Sequence, residues 1–399
     1  MGAELTTASW VVWTSALSPF GLKLILLCRH AELPFRVLPG GGTRREGWRF
    51  FLRRARLVRG RLPLTWPAMT PEDEFPAVPF LFGPGGENLV DSSAIAAWLD
   101  RAQAPARRVL PEEPATHFVA RLIDDYADEC GLYMAHHNRW KLAARDNDAG
   151  ARLAEEFRFL WGPARGAFGR WFARRQVRRM PYLFSVAPPG FAIDGLPPAL
   201  QPPARAGFPP THALLEAAFA RLLDVLEALL ATRPFVLGGR LTIADASLYG
   251  QLAMNLSDPS AARLIQTRAP RLHAWLERLH RGDRELLACD GPLGVDAALG
   301  RLLAEIARVH VPLMRQNYAA WEDAQGRGER LFNEAAFDRG RALYDGTLDG
   351  RLFRAVAKSF QARVWRECVA AWRQLPGDAR TRLEALLPAD HGLGELRAA

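Results

Sequence analysis

The chain has 399 residues, of which 49% are hydrophobic and 24% are charged, a balance typical of a globular protein with a large core. The formal charge is +9, but all but three of the 52 basic residues are arginines, a bias that indicates GC-rich coding more than phosphate binding. We therefore expect no nucleic-acid partner, and interpret the arginine runs as solvated surface, with an anionic partner or lipid surface as the alternative. No signal peptide and no apolar run approaching ~18 residues is found, so we expect a cytoplasmic protein without a transmembrane segment.

The cysteines exclude two further classes of chemistry. They are widely scattered and lack the Cys-x-x-Cys spacing of zinc sites and disulfide oxidoreductases. A reduced compartment fits this usage, and Cys28 is expected to be a small buried side chain. The four residues are Cys28, Cys130, Cys289 and Cys368.

The first predicted element is a short buried strand over residues 10–13, which runs into a turn and an amphipathic helix. Ser18 stands at the expected N-cap, Pro19 at the first helical position, and apolar residues at helical spacing follow from Leu22. Free backbone N–H groups and the positive end of the helix dipole favour an anion beside the Ser18 hydroxyl.

A second strand is predicted at Phe35–Leu38, followed by a long basic stretch from Gly40 to Glu74. This stretch contains tryptophan and phenylalanine among its arginines, so it is interpreted as either a displaced second helix or a lid. The next strand follows Val78 and Pro79 directly.

Another helix start follows at Asp91 and Ser92, after a short strand. From Thr116 the pattern becomes helical, and acidic residues crowd one side of the predicted helix at 124–129. Prolines then mark an extended loop at the end of a segment spanning about 145–210. This segment either covers a site or projects into solvent.

Farther along, Thr242 and Asp245 have the spacing of a capping box, in which hydroxyl and carboxylate satisfy backbone N–H groups at a helix start. Residues 295 to 388 show apolar residues at helical spacing and are predicted to be an added helical segment. This segment contains enough aromatic surface to pack onto the preceding helices.

In this order, the Ser18-Pro19-Phe20-Gly21 turn, Val78-Pro79, the Asp91-Ser92 helix start and Thr242-x-x-Asp245 resemble the motifs of the glutathione transferase family. The turn is most similar to that of serine-type enzymes of the plant tau class. The resemblance implies an α/β thioredoxin-like N-terminal domain followed by an all-α glutathione-transferase-type C-terminal domain with extra helices. The implied domains are residues 8–101, residues 115–290 with a Pro-rich insertion at about 145–210, and a helical extension of unknown role at 291–399.

The resemblance also implies roles for individual residues. Ser18 would donate its hydroxyl hydrogen to the glutathione thiolate and, together with the helix N-terminus, would lower the thiol pKa from about 8.5 by about 2. The backbone of Val78, before a cis Pro79, would pair with the cysteinyl backbone of glutathione. Asp91 and Ser92 would hold the γ-glutamyl end.

Several assignments stay open at this point. Ser15 and Thr14 compete with Ser18 for the thiol contact, and Arg44 or Arg45 would hold the glycine carboxylate. No metal is expected, because the adjacent His136 and His137 face different sides of a helix and lack a second ligand pair at i,i+3 or i,i+4.

The function predicted from this resemblance is a glutathione transferase-like enzyme that activates the glutathione thiolate for attack on a small electrophile. Glutathione is the co-substrate, and a homodimer is the implied state. Conjugation, dehalogenation, isomerisation and peroxide reduction would all use the same thiolate. The alternatives are a non-catalytic binding or scaffold protein on the same fold, and a membrane-peripheral protein similar to metaxins.

Overall fold

The computed structural model describes residues 9–69 and 75–397. Residue 8, residues 70–74 of the basic stretch, and residues 398 and 399 belong to the predicted domains but lie outside this description. The first domain contains β1 (Trp10–Thr14), α1 (Pro19–His30), β2 (Phe35–Pro39), α2 (Arg44–Val58), β3 (Phe80–Phe82), β4 (Asn88–Val90) and α3 (Ser92–Asp100).

Its four strands form one sheet in the order β2-β1-β3-β4. β1 runs parallel to β2 and antiparallel to β3, and β4 is antiparallel to β3. Side chains alternate between the two faces of β1: Val11 and Trp13 pack with Phe50 of α2, whereas Val12 packs with the core that includes α1. A βαβ unit followed by a ββα unit is the thioredoxin-like arrangement, as predicted.

The basic stretch after β2 begins with a helix. The Thr43 side chain accepts a hydrogen bond from the Glu46 N–H, and the Glu46 carboxylate accepts from the Thr43 N–H at 2.9 Å, which forms a capping box at the start of α2. Of the two interpretations of this stretch, a second helix is therefore correct for Arg44–Val58.

The second domain is helical. Residues 114–142 form one continuous helix, in which α4 (Pro114–Tyr126) and α5 (Leu132–His137) are joined and followed by π-helical turns. The other helices are α6 (Ala149–Glu156), α7 (Arg158–Trp161), α8 (Arg165–Arg178), α9 (His212–Leu229), α10 (Ile243–Ala253), α11 (Pro259–Arg268), α12 (Pro270–Arg281) and α13 (Arg284–Leu287). Strands β5 (Gly238–Arg240) and β6 (Asp290–Leu293) form a small antiparallel pair.

The buried start of α10 is held by the predicted capping box. The Asp245 carboxylate accepts from the Thr242 N–H at 2.9 Å and from the Val236 N–H at 2.7 Å. The Pro-rich stretch between α8 and α9 contains only one short 3-10 helix, Pro198–Leu200, whereas α6 to α8 fill the first half of the segment at about 145–210.

The C-terminal region differs from the purely helical segment predicted for it. Alongside α14 (Gly300–Gly326), α15 (Glu334–Asp338), α16 (Ser359–Gln374) and α17 (Gly377–Glu384), it contains a hairpin of β7 (Leu343–Leu348) and β8 (Arg351–Val356). The hairpin forms because Asp349 and Gly350 both adopt positive φ, at 51° and 71°, as a tight two-residue turn requires.

This region packs onto the helical domain. The Phe118 and Trp372 rings have centroids 5.3 Å apart, and Arg382 forms an ion pair with Glu113 at 2.6 Å. Apolar residues of α14 and α16 belong to the same buried cluster as those of α4. The C-terminal region therefore packs directly against α4 and shares its buried core.

One buried cation joins the first domain to the second. Lys23 of α1 is 0% exposed, and its Nζ lies 2.6 Å from Asp124 Oδ1 and 2.6 Å from Asp128 Oδ2. It also donates to Ser93 Oγ at 2.7 Å. Because a buried charge is stable only when it is paired, this cluster fixes α1 and α3 against α4.

Candidate functional site

A cavity of about 1120 Å³ lies between the thioredoxin-like domain and the helices that follow it. Typical ligand pockets measure roughly 300–1,000 Å³, so this one has room for a tripeptide and a second molecule. Most of its lining comes from three parts of the chain: the first domain, the helices α4 to α8, and α16. All five sequence-predicted site residues are brought together here: Ser18, Val78, Pro79, Asp91 and Ser92.

Ser18 caps the start of α1 at the floor of the cavity. Its Oγ accepts from the Gly21 N–H at 3.2 Å, which leaves the hydroxyl hydrogen available to an acceptor in the cavity. A side chain at Gly21 would collide with Thr14, since a Cβ there would lie 2.0 Å from Thr14 Oγ1. Glycine therefore lets the first turn of α1 pack closely on β1 and fixes the position of Ser18.

Ser15 and Thr14 are engaged elsewhere. Ser15 Oγ accepts from the Leu17 N–H at 3.1 Å, and its side chain lies against the buried carboxylate of Glu156. Thr14 Oγ1 donates to the Ser15 carbonyl at 3.3 Å. Of the three hydroxyls considered from the sequence, that of Ser18 is the best placed to donate to a ligand.

The Val78–Pro79 peptide bond is cis, as the resemblance implies, and precedes β3 at the edge of the cavity. Arg54 of α2 lines the cavity beside it and donates from Nε to the Ala77 carbonyl at 3.1 Å. Arg44 and Arg45, on the first turn of α2, are not among the residues that line the cavity.

Asp91 and Ser92 form the start of α3. Asp91 adopts φ 66° and ψ 113°, a strained conformation for a non-glycine residue, and such strain often accompanies function. Its Oδ1 accepts from the N–H groups of Ser93 and Ala94 at 2.9 and 3.1 Å. Ser92 is buried beside it. The helix start thus combines a carboxylate, a hydroxyl and the positive end of a dipole.

The acidic residues crowded on α4 and the following π-helical turn also face this end of the cavity. Burial raises the pKa of Asp125, despite the opposing effect of Arg121, and neighbouring carboxylates raise it further. Burial likewise raises the pKa of Asp128 to about 7, although Lys23 opposes the shift. The sequence revealed this crowding but not its buried partner Lys23, because an isolated lysine in an apolar helix gives no sign of what it contacts.

The opposite wall is aromatic. The Trp140 and Phe172 rings have centroids 6.3 Å apart, and Trp161 stacks on Phe168 at 4.6 Å. Phe157, between α6 and α7, and the apolar Leu160 of α7 also line the cavity. This aromatic wall, formed by Trp140, Phe157, Leu160, Trp161, Phe168 and Phe172, offers a surface for a planar apolar molecule.

The helix α16 completes the lining with Phe360, Arg363, Val364 and Glu367. The apolar spacing of this segment predicts the helix itself but not its position at the site. Nothing local in the sequence indicates that a helix some 340 residues after Ser18 returns to the same cavity.

Three of the four thiols are buried and offer no competing nucleophile, and the fourth, Cys289, is half-buried and does not line the cavity. Burial raises the pKa of Cys28, Cys130 and Cys368, so these side chains stay protonated. Within residues 9–69 and 75–397, no group of three or more His, Cys, Asp and Glu side chains is placed to hold a metal ion. In the same residues, no helix is long and apolar enough to cross a membrane.

Comparison with known proteins agrees with this architecture. Residues 202–278 match the family model for the glutathione S-transferase C-terminal domain. No curated protein matches the chain. The topology of the first domain and this match define the fold: a thioredoxin-like domain followed by an all-helical domain of the glutathione transferase type. The match supports a relationship to the glutathione transferases.

Similar solved structures include three glutathione transferases. That of Ceriporiopsis subvermispora in complex with glutathione is 16% identical, covers 69% of this chain and 98% of its own, and has a TM-score of 0.43. Rice GST1 with glutathione is 19% identical, covers 72% and 92%, and has a TM-score of 0.35. A family member from Pseudomonas fluorescens Pf-5 with two glutathiones bound is 16% identical, covers 70% and 94%, and has a TM-score of 0.36.

Proposed function

We propose that the protein binds glutathione in this cavity and activates its thiol for attack on a small electrophile. The observation that carries the proposal is the Ser18 hydroxyl, whose Oγ accepts from the Gly21 N–H and whose hydrogen is free to donate into the cavity. A simple thiol with a pKa near 8.5 is only about 3% ionised at pH 7. A hydroxyl donor and a helix N-terminus both favour the thiolate over the thiol.

The ends of glutathione match the charges around Ser18. Its γ-glutamyl ammonium suits the Asp91 carboxylate, and its γ-glutamyl carboxylate suits the Ser92 hydroxyl and the start of α3. The backbone of Val78 is the proposed partner of the cysteinyl unit. For the glycine carboxylate we favour Arg54 over Arg44 and Arg45, because it is the one of the three that lines the cavity.

Ser18 acts in this proposal as a hydrogen-bond donor, not as a nucleophile. The sulfur of glutathione supplies the electron pair, and the electrophile accepts it, losing a leaving group or forming an adduct. The cytoplasmic location and the homodimer remain predictions, and the proposal covers each of the reaction types that use this thiolate without choosing among them.

Calorimetric titration with glutathione tests the proposal. Binding is measured in two buffers of different ionisation enthalpy, so that proton release is read directly, for the wild type, Ser92→Ala and Ser18→Ala. We expect binding with proton release near neutral pH, weaker binding in Ser92→Ala, and binding without proton release in Ser18→Ala.

The other outcomes identify the alternatives. Binding without proton release in the wild type would favour a non-catalytic binding protein on the same fold. Absence of binding at millimolar glutathione would overturn the proposal. The matched control is Ser260→Ala, a serine that pairs with Asp146 away from the cavity lining, and it should behave as the wild type.

A further inference from the structure

The outer surface of α2, α7 and α8 carries large apolar side chains. In residues 9–69 and 75–397, eight such side chains are exposed, and five of them lie on these three helices. Trp48 is 40% exposed, Leu52 54%, Trp161 39% and Trp171 55%, whereas the other nine of the 12 tryptophans are buried or half-buried. We call these four residues the tryptophan patch. Such a concentration of exposed apolar side chains marks an interaction surface.

The patch is continuous because its rings touch through two phenylalanines. Trp48 of α2 packs edge-on against Phe159 of α7, with ring centroids 5.7 Å apart. Trp161, also on α7, stacks on Phe168 of α8 at 4.6 Å, and Phe168 stacks on Trp171 at 5.7 Å. The three helices therefore present these side chains as one surface.

Unpaired arginines surround the tryptophan patch. Residues three or four apart are neighbours on a helix, so Arg45 lies beside Trp48 and Arg174 lies beside Trp171. α8 has no acidic residue, and Glu46 of α2 already pairs with Arg36 at 2.5 Å. Within the described ranges, the exposed arginines here that form no ion pair include Arg45, Arg49, Arg56, Arg59, Arg170, Arg174 and Arg178.

These features decide among the partners that such a surface could take. A bilayer with anionic headgroups accepts tryptophan rings at its interface and attracts the arginines around them. A second copy of the same surface would bring arginine against arginine, which repels. A nucleic acid would leave the aliphatic Leu52 unused, because bases stack on aromatic rings.

We propose that the tryptophan patch and its surrounding arginines dock the protein on an anionic lipid bilayer. The inference goes beyond the proposed function and does not depend on glutathione. Trp161 and Phe168 also line the cavity, so the patch borders it. A docked bilayer would therefore hold apolar molecules that are dissolved in the lipid close to the cavity.

Co-sedimentation of the full chain with vesicles tests the proposal. One set of vesicles is phosphatidylcholine alone, and the other is an equal mixture of phosphatidylcholine and phosphatidylglycerol. We expect at least about tenfold tighter binding to the mixture at low salt, and a smaller difference as salt is added. Trp171→Ala should weaken binding to the mixture about fivefold to tenfold. Equal binding to both sets, no binding to either, or unchanged binding in Trp171→Ala overturns the inference.

A matched pair of double variants tests the arginines. Arg174→Gln combined with Arg178→Gln should weaken binding to the mixture about thirtyfold, the combined effect of two cations near an anionic surface. Arg263→Gln combined with Arg301→Gln removes the same charge from exposed positions on α11 and α14, and should weaken binding less than about threefold. An equal loss in the two double variants would mean that net charge alone drives binding, and the inference would be wrong.

A measurement on the wild type covers the case in which a variant does not fold. Vesicles of the mixture with brominated acyl chains quench only those tryptophans that reach the acyl region. We expect part of the tryptophan emission to be quenched, because the tryptophan patch contains three of the 12 tryptophans. Sedimentation without quenching contradicts the inference, as does binding of an RNA oligonucleotide by a chain that binds no vesicles.

Discussion

The two long walls of the cavity are built in different ways. The polar wall comes from the first domain, where Ser18 and Asp91 each cap a helix within a few residues of their own backbone partners. The aromatic wall comes from residues 140–172 and the α16 lining from residues 360–367, so these two surfaces meet only through packing in the folded chain. Local hydrogen bonding positions the groups for a charged peptide, whereas tertiary packing alone positions the surface for an apolar molecule.

The largest effect is expected at the buried ion pairs of Lys23, which join the two domains that form the cavity. Lys23→Met would remove the cation shared by two buried carboxylates, leaving Asp128 without an ion pair and Asp124 with Arg121 alone, which typically costs about 3–5 kcal/mol. Denaturant-induced unfolding should show this loss. Arg268→Met, which breaks a half-exposed ion pair with Asp224, should change stability by less than about 1 kcal/mol. Equal losses in both variants would contradict the proposed link.

The next effect concerns the polar wall. In Ser18→Ala the pKa of the bound glutathione thiol should rise by up to about 2, equivalent to at most about 2.7 kcal/mol, because the thiolate loses its hydrogen-bond donor and keeps only the helix N-terminus. Thiolate absorbance of the complex as a function of pH measures this. In Ser15→Ala the thiol pKa should stay unchanged, since Ser15 faces Glu156. A larger shift in Ser15→Ala than in Ser18→Ala would reverse the assignment.

A smaller effect is expected at the other end of glutathione. Arg54→Gln should weaken glutathione binding about tenfold through loss of a charge-assisted hydrogen bond to the glycine carboxylate. Binding of γ-glutamylcysteine, which lacks the glycine, should not change. Arg45→Gln, an exposed residue on the same helix, serves as the control. If Arg54→Gln weakened the binding of both peptides equally, Arg54 would not be the partner of the glycine carboxylate.

The smallest effect is expected for binding of an aromatic molecule at the α16 lining. We use 1-naphthol as a planar aromatic probe of this surface. Phe360→Ala, in the partly exposed α16 lining, should weaken its binding by about threefold to fivefold, because the substitution removes apolar contact area. Glutathione affinity should stay within a factor of two. Leu352→Ala on β8, which is 66% exposed, should affect neither ligand. A change in glutathione affinity alone would mean that α16 belongs to the polar wall.

The same contrast explains what could be predicted from the sequence. The four strands of the first domain, α1, α3 and both the Ser18 and Thr242 caps follow from local signals, and the structure contains them. The hairpin at residues 343–356 was missed although Asp349-Gly350 is a strong turn signal, because the flanking apolar residues were counted at helical spacing. Lys23 and α16 acquire their roles through contacts made only in the folded chain.

Glu156 connects the two walls. Its carboxylate accepts from the Ala16 N–H at 3.1 Å in the loop before Ser18, and the next residue, Phe157, belongs to the aromatic wall. A ligand that displaces Phe157 therefore also shifts the loop that positions Ser18 for its proposed contact with the thiol. Thermodynamic reciprocity then requires that glutathione change the affinity for the aromatic ligand by the same factor as the aromatic ligand changes the affinity for glutathione. The two binding events are expected to be cooperative within a single chain.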